Sequence, residues 1–172
     1  KGVGASGAEH ISRNLKQLTI LDIRRKVRLL RKNEIGEKGA LMIADSLKEL
    51  TMLYIRTVYQ HPGGNHINDK GALAIANNLK QLTELDNVRH PSHSDCNNIS
   101  EKGAMAIADN LRQLTYLDIG KVAINTGDNR IGEKSALAMA NNLKQLSTLY
   151  IGISSHYSGS SHLPQSCVVK LR

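Results

Sequence analysis

The chain has 172 residues, of which 40% are hydrophobic and 3% aromatic, with no Trp, no Phe and a formal net charge of +8. The length allows a domain with a core, but a single globular core normally uses aromatic rings to fill its volume. The sequence also lacks an apolar run of the roughly 18 residues that span a membrane, a disulfide framework and a paired-cysteine metal signature.

The cysteine usage and the first residues bear on the cellular compartment. Only Cys96 and Cys167 occur, and residues 1–20 show no signal-peptide pattern. Both features are more typical of an intracellular protein than of a secreted one, although they leave the compartment open.

The sequence repeats itself with a period of 32 residues. Equivalent positions of successive units form repeat columns, and two of these columns hold only leucine: Leu18, Leu50, Leu82, Leu114, Leu146 and Leu21, Leu53, Leu85, Leu117, Leu149. A period kept over five units is the signature of a stacked repeat architecture. We therefore expect five 32-residue repeats over residues 1–160, with residues 161–172 as a degenerate or truncated sixth.

The first half of each unit predicts an α-helix. In one unit Ala72, Ile75, Ala76 and Leu79 have the spacing of a single helical stripe. Potential N-cap residues precede the stripe, and an acidic residue follows each of them, where negative charge favours a helix start. These two columns are Gly36, Asn68, Ser100, Gly132 and Glu37, Asp69, Glu101, Glu133.

The second half of each unit predicts a short β-strand. In the segment 114–119, Leu117 and Ile119 alternate with Asp118, which is typical of a half-buried strand. Strands that alternate with helices at a fixed period form a parallel sheet joined by crossovers. The predicted fold is therefore an α/β solenoid with the sheet on its inner face and the helices outside.

The combined pattern L-x-x-L-x-I…N-x-I-G-x-x-G-A-x-x-I-A-x-x-L resembles the ribonuclease-inhibitor-like class of leucine-rich repeats. The resemblance implies a right-handed horseshoe with a concave parallel sheet and convex helices. It also implies protein binding through the concave face and its edge loops. The column Asn33, Asn65, Asn97, Asn129 resembles the asparagine ladder of that class, whose side chains bond backbone groups of the neighbouring turn.

One segment of each unit departs from that class. Removing seven residues, 121–127, from one unit leaves an ordinary repeat of 25 residues, whereas leucine-rich repeats usually have roughly 20–29. The inserted loops keep their length and vary in sequence, and two of them contain Tyr59, His61 and His93. Loops on a rigid scaffold often carry binding specificity, so we expect these three residues to contact a partner. Neutral drift in a tolerant loop is the alternative.

The strands predict a second partner-binding set. Residues on either side of the buried leucine point away from the core. They form a first face column of Ile20, Met52, Glu84, Tyr116, Thr148 and a second face column of Asp22, Tyr54, Asp86, Asp118, Tyr150. Tyrosine is enriched in interfaces, and three of the five tyrosines occur here. We expect these ten residues, called the strand face below, to bind a protein ligand; an ordinary solvated sheet face is the alternative.

Two alternative functions remain open from the sequence. The units at both ends lack a polar cap, so the chain could be a structural array that associates end to end with its own copies. Rows of basic residues could instead bind a polyanion. However, the row Lys16, Lys48, Lys80, Arg112, Lys144 lies at helix ends, where the helix dipole already explains positive charge. Nucleic acid is therefore the less favoured partner.

No catalytic or cofactor motif stands out. Gly2, Gly4 and Gly7 match G-x-G-x-x-G, but Gly4 and Gly7 belong to ordinary repeat columns, and a dinucleotide site would also need a preceding strand and an acidic residue about 20 positions further on. His61 and His93 occupy one column and could approach each other near a metal, although exposed loop histidines are the simpler interpretation. We therefore expect a non-catalytic protein without a cofactor.

Overall fold

The computed structural model describes residues 2–24, 34–55, 65–86, 97–119 and 131–151, together with the backbone of 167–170. Five helices alternate with five strands, and a sixth strand follows. The helices are α1 Gly4–Asn14, α2 Gly36–Ser46, α3 Asn68–Asn78, α4 Glu101–Asn110 and α5 Glu133–Asn142. The strands are β1 Ile20–Asp22, β2 Met52–Tyr54, β3 Glu84–Asp86, β4 Tyr116–Asp118, β5 Thr148–Ile151 and β6 Cys167–Lys170.

The six strands form one sheet in chain order, and the first five are parallel. Leu21 pairs with Leu53, and Leu53 pairs with Leu85, so each residue faces the one 32 positions further along the chain. Each helix packs beside the next helix along the chain. The predicted alternation of helices with strands of one parallel sheet is confirmed.

The last strand breaks this pattern. β6 pairs with β5 in the antiparallel direction, with Cys167 opposite Ile151 and Lys170 opposite Thr148. The repeat pattern did not predict a strand here. The interpretation of residues 161–172 as a degenerate sixth unit stays a prediction.

The core is aliphatic and continuous from the helix layer to the strand layer. On α3 and its C-terminal end, Ala72, Ile75, Ala76 and Leu79 are all at most 2% exposed, which confirms the predicted stripe. The central strand residue Leu85 is 1% exposed. Burial of one such leucine or isoleucine contributes about 1.5–3 kcal/mol. No helix in the described ranges has both the length and the hydropathy to cross a membrane.

A ladder of hydroxyl groups joins successive units just before each strand. Thr51 Oγ1 donates to the carbonyl of Thr19, Thr83 to that of Thr51, and Thr115 to that of Thr83, at 3.0–3.1 Å. Ser147 extends the ladder by donating to the carbonyl of Thr115 at 2.9 Å. The ladder fixes the register of each strand relative to the preceding one.

An asparagine side chain makes a second connection between units. Asn65 is fully buried; its amide donates to the carbonyl of Ile55, and its Oδ1 accepts from the backbone N–H of Ile35 at 3.4 Å. Ile35 belongs to the preceding unit and Ile55 to the segment after β2. This bonding is what the asparagine-ladder resemblance implies for Asn65.

Two residues of the acidic column link their own helix to the next one. Asp69 lies at the start of α3, yet its carboxylate accepts bonds from Ser100 N at 2.7 Å, Ser100 Oγ at 2.6 Å and Gly103 N at 3.2 Å, at the start of α4. Glu37 similarly accepts from Asn68 Nδ2 at 2.7 Å. A carboxylate at these otherwise unpaired N–H groups stabilises the neighbouring helix.

Candidate functional site

The strand face is assembled in register across β1 to β5. In the first face column, Ile20 pairs with Met52, Met52 with Glu84, Glu84 with Tyr116 and Tyr116 with Thr148. The second face column is aligned in the same way, from Asp22 to Tyr150. The structure therefore places all ten predicted strand residues on one continuous surface.

Nine of the ten residues are exposed or half-buried, while the central leucines between them are buried. Ile20 is 51% exposed, which is unusual for a large aliphatic side chain. Asp86 is the exception, because it is only 3% exposed. Its side chain is buried beneath the surface, so its carboxylate supports the neighbouring residues and is not exposed to a partner.

An arginine outside the two columns completes one end of the surface. Arg24 follows β1, and its guanidinium forms a two-point contact with Asp22, from Nε at 2.9 Å and from Nη2 at 2.5 Å. Its Cζ lies 4.2 Å from the ring centroid of Tyr54, a cation–π distance, and its Nη1 is 3.8 Å from Asp86. The hydrogen bond that Arg24 donates to Asp22 is the main reason that the pKa of Arg24 is raised.

Tyr54 is also tied to the next strand. Its hydroxyl donates to Glu84 Oε2 at 2.5 Å. Burial, followed by this hydrogen bond and the charge of Glu84, raises the pKa of Tyr54 to about 12, while the nearby Arg24 opposes the shift. Tyr54 therefore stays protonated at neutral pH and acts as a donor and an aromatic platform.

The other two tyrosines lie together on the neighbouring strands. The rings of Tyr116 and Tyr150 have centroids 5.9 Å apart and planes inclined at 53°, within the range of favourable aromatic pairs. Tyr116 is flanked by Glu84 on β3, and Tyr150 by Asp118 on β4. The result is a half-exposed aromatic pair with carboxylates beside it.

The basic row on the helices has a local explanation. Lys48 and Lys80 donate to carbonyls one turn earlier in their own helices, those of Ala44 and Ala76, at 2.8 and 2.9 Å. Lys144 makes the equivalent bond to Ala140 at 3.3 Å. Partial burial lowers the pKa of Lys80. These lysines satisfy the carbonyls that a helix end leaves unpaired.

Three of the predicted contact residues, Tyr59, His61 and His93, lie outside the described residues, so their proposed role stays a prediction. The same holds for a metal between the two histidines. Within the described residues, no group of three or more His, Cys, Asp or Glu side chains is arranged to hold a metal ion.

Arg24 is a residue of this surface that the sequence analysis did not predict. The available signal was its spacing, because a residue two positions after Asp22 in extended chain lies on the same side as Asp22. The sequence also did not predict the hydrogen bonds that residues of the acidic column make with the following helix. The reason is different, because the sequence places each acidic residue at the start of its own helix.

Comparisons with known proteins do not assign a family. The chain matches no protein-family model and no curated protein sequence. What the sequence and structure establish is an α/β chain of repeated helix–strand units built on one sheet whose first five strands are parallel.

Proposed function

We propose that this chain is a non-catalytic protein-recognition module, a right-handed solenoid of the ribonuclease-inhibitor-like leucine-rich-repeat type with five 32-residue units. Its strand face forms the concave surface and binds a protein ligand, with the loops around Tyr59, His61 and His93 at the rim. The observation that carries the proposal is the assembly of three tyrosines on one continuous, half-exposed sheet surface.

The chemistry of this surface supports a protein ligand. Tyrosine offers a large contact area with few rotatable bonds, and its hydroxyl adds a hydrogen bond, so it is frequent among residues that dominate binding energy. On the helix side, Lys48 and Lys80 bond helix carbonyls and Asp69 bonds the next helix, so these charged residues already serve the helix layer. We therefore assign partner binding to the sheet side and structural support to the helix side.

The test is affinity capture from native extract with the intact chain and with a variant carrying Tyr54→Ala, Tyr116→Ala and Tyr150→Ala. We expect the variant to lose the captured protein, because truncation of a dominant interface residue costs about 2 kcal/mol or more. A matched control replaces Asn77, Leu137 and Asn141 by alanine; these three residues are exposed on the helix layer. Circular dichroism of each variant verifies the fold.

Unchanged capture by the tyrosine variant would reject the strand face as the binding site. Equal loss in the helix-layer control would show that the effect is not specific to this face. A further variant, in which each rim loop is shortened by seven residues, separates the rim from the strand face.

A second candidate, end-to-end self-association, is favoured by one observation. Leu15 is 51% exposed, whereas its column equivalents Leu47, Leu79 and Leu111 are fully buried. A second copy that covered α1 would bury Leu15 as the preceding unit buries the others. Sedimentation at several concentrations tests this alternative: a monomer at every concentration contradicts it, and an oligomer that Leu15→Ser dissociates supports it.

A further inference from the structure

The outer side of the first unit exposes aliphatic surface that every later unit buries. Leu15 is exposed, and Ile11 and Leu18 are half-buried. In the four later units, every residue of these three columns is at most 4% exposed. The surface formed by Ile11, Leu15, Leu18 and the outer edge of β1, called the N-terminal face below, is therefore built like a contact between units but is not covered by the second unit.

The sheet is open on the same side. Among the described strands, β1 has a neighbour on one side only, which is β2. The carbonyl of Thr19 and the N–H of Ile23 both bond β2. Because the backbone groups of successive strand residues point to opposite sides, those of Ile20 point towards the outer edge. An edge of this kind is a ready template for another strand.

The opposite end of the sheet is occupied. β6 pairs with β5 in the antiparallel direction and takes the edge that a further parallel strand would need. A second copy therefore cannot place its β1 beside β5 in the parallel register of the repeat, which disfavours head-to-tail stacking. Contact through the same end of both copies is isologous, and it closes after two copies.

The polar groups of the N-terminal face are suited to meet their own copies, because they are uncharged. In later units, Lys70 and Thr51 bond residues of the preceding unit, so their columns lie on the side that faces that unit. The first unit has Ser6 and Thr19 in these columns, and both are exposed. A hydroxyl both donates and accepts hydrogen bonds, so it can pair with its own equivalent without repulsion between like charges.

We propose that two copies of this chain form a closed dimer through their N-terminal faces, with the two α1 helices antiparallel and the two β1 strands antiparallel at its centre. One two-fold axis, running from the strand layer to the helix layer, satisfies both pairings. It turns both strand faces to the same side, where they form one surface of twice the length. The inference extends the second candidate function by naming the end that associates and its symmetry, and recognition by the strand face does not depend on it.

Sedimentation equilibrium of the full chain at several concentrations measures the mass and the Kd of the dimer. One chain has a mass of 18.8 kDa, and we expect the mass to rise to twice this value and no further. Leu15→Lys places a like charge on both contacting faces and should raise the Kd at least about tenfold, a change of about 1.4 kcal/mol. The matched control is Leu137→Lys on α5, since Leu137 is 55% exposed and Leu15 is 51% exposed. It should leave the Kd within about twofold, because a distant exposed charge is screened.

Spin labels then identify the end that associates. Gln17 and Gln145 occupy one column in the first and the last unit, and both are exposed. Each is replaced by a labelled cysteine in a chain that carries Cys96→Ser and Cys167→Ser, and pulsed electron paramagnetic resonance measures the distance between the labels of the two copies. The distance should be longer for position 145 by roughly 40 Å, because in each copy four strand spacings of about 4.8 Å separate the two positions.

Thermal unfolding checks that each variant is folded, and the label distances decide the outcome if Leu15→Lys is not. The mass of a single chain at every concentration overturns both this proposal and the second candidate function. Growth beyond two copies, or a shorter distance for position 145 than for position 17, overturns this proposal alone. Equal effects of Leu15→Lys and Leu137→Lys also overturn it. Capture by the tyrosine variant reports on the strand face separately, so the proposed recognition function is tested independently.

Discussion

The hydroxyl of Tyr54 on β2 donates a hydrogen bond to the carboxylate of Glu84 on β3, one strand further along the sheet. The bond joins the second face column to the first. Glu84 also flanks Tyr116, so one carboxylate is shared by two aromatic residues. Changes at Glu84 should therefore be detectable at Tyr54.

The first prediction concerns the ionisation of Tyr54. Glu84→Gln should lower the pKa of Tyr54 from about 12 towards its ordinary value of 10.0, because it removes the negative charge that opposes tyrosinate. The shift should be incomplete, since burial is the largest cause and remains. Ultraviolet titration of tyrosinate measures the change, and subtraction of the matching Tyr54→Phe curves isolates Tyr54 from the other tyrosines.

The raised pKa of Tyr54 also predicts that the folded chain loses stability at alkaline pH. The folded pKa of Tyr54 is raised, so its contribution is fully present below pH 10.0 and is lost as pH rises towards about 12. The free energy of unfolding should therefore decline above pH 10.0 as Tyr54 ionises, and Tyr54→Phe should remove the part of this decline that Tyr54 causes. An identical alkaline decline in the two proteins would contradict the prediction.

The second prediction tests the asparagine connection. Asn65→Ala should lower the free energy of unfolding by about 2–4 kcal/mol, because it leaves the buried backbone groups of Ile35 and Ile55 without their side-chain partner. Urea denaturation measures the loss. Asn77→Ala, at an exposed helix position, is the control and should change stability by less than about 0.5 kcal/mol. Similar losses in both variants would contradict the bridging role of Asn65.

The third prediction tests the link between helices. Asp69→Ala should cost about 1–2 kcal/mol, the usual effect of removing a helix cap, because Ser100 and Gly103 lose an acceptor. Asp69→Asn should cost less, since its Oδ1 still accepts from Ser100 N. The equivalent change Glu133→Ala removes a more exposed carboxylate of the same column and should have the smallest effect. A reversed order of the three losses would refute the capping role.

The fourth prediction concerns the close approach of helices. A Cβ added at Gly71 would lie 2.5 Å from Ile67 Cγ2 and 3.0 Å from Ala40 Cβ, both in the packed core. Gly71→Ala should therefore destabilise the chain by about 1–3 kcal/mol. At Gly132 the nearest atom is a carboxylate oxygen of Glu101, which can rotate away. Gly132→Ala should cost less, and thermal unfolding of the two variants gives the comparison.

The helical stripes and the central strand residues were predictable because their burial is encoded directly in the spacing of aliphatic residues. Ala72, Ile75 and Leu85 are buried as that spacing requires. The register also follows from the sequence, since a shift of one residue would move Leu85 to the opposite face of the sheet. The period therefore predicted which residues lie beside each other on the strand face.

The connections between units were harder to predict, because a repeated polar residue does not reveal whether it bonds within its own unit or the next. The acidic column illustrates this, since Asp69 caps α4 and not α3. The hydroxyl ladder from Thr51 to Ser147 was likewise visible in the sequence only as a hydroxyl residue at the same position of successive units. That position does not reveal which carbonyl the hydroxyl bonds. β6 has no counterpart in the repeat, so no periodic signal could indicate it.

The hydroxyl ladder described above has a consequence for how such a protein can change over time. Thr51, Thr83 and Thr115 bond only backbone carbonyls, so these bonds do not depend on which side chains occupy the neighbouring strand positions. Substitutions at Tyr116 or Thr148 should therefore leave these bonds between successive units in place. If the strand face binds a partner as proposed, its contact residues and its architecture can change separately in this chain.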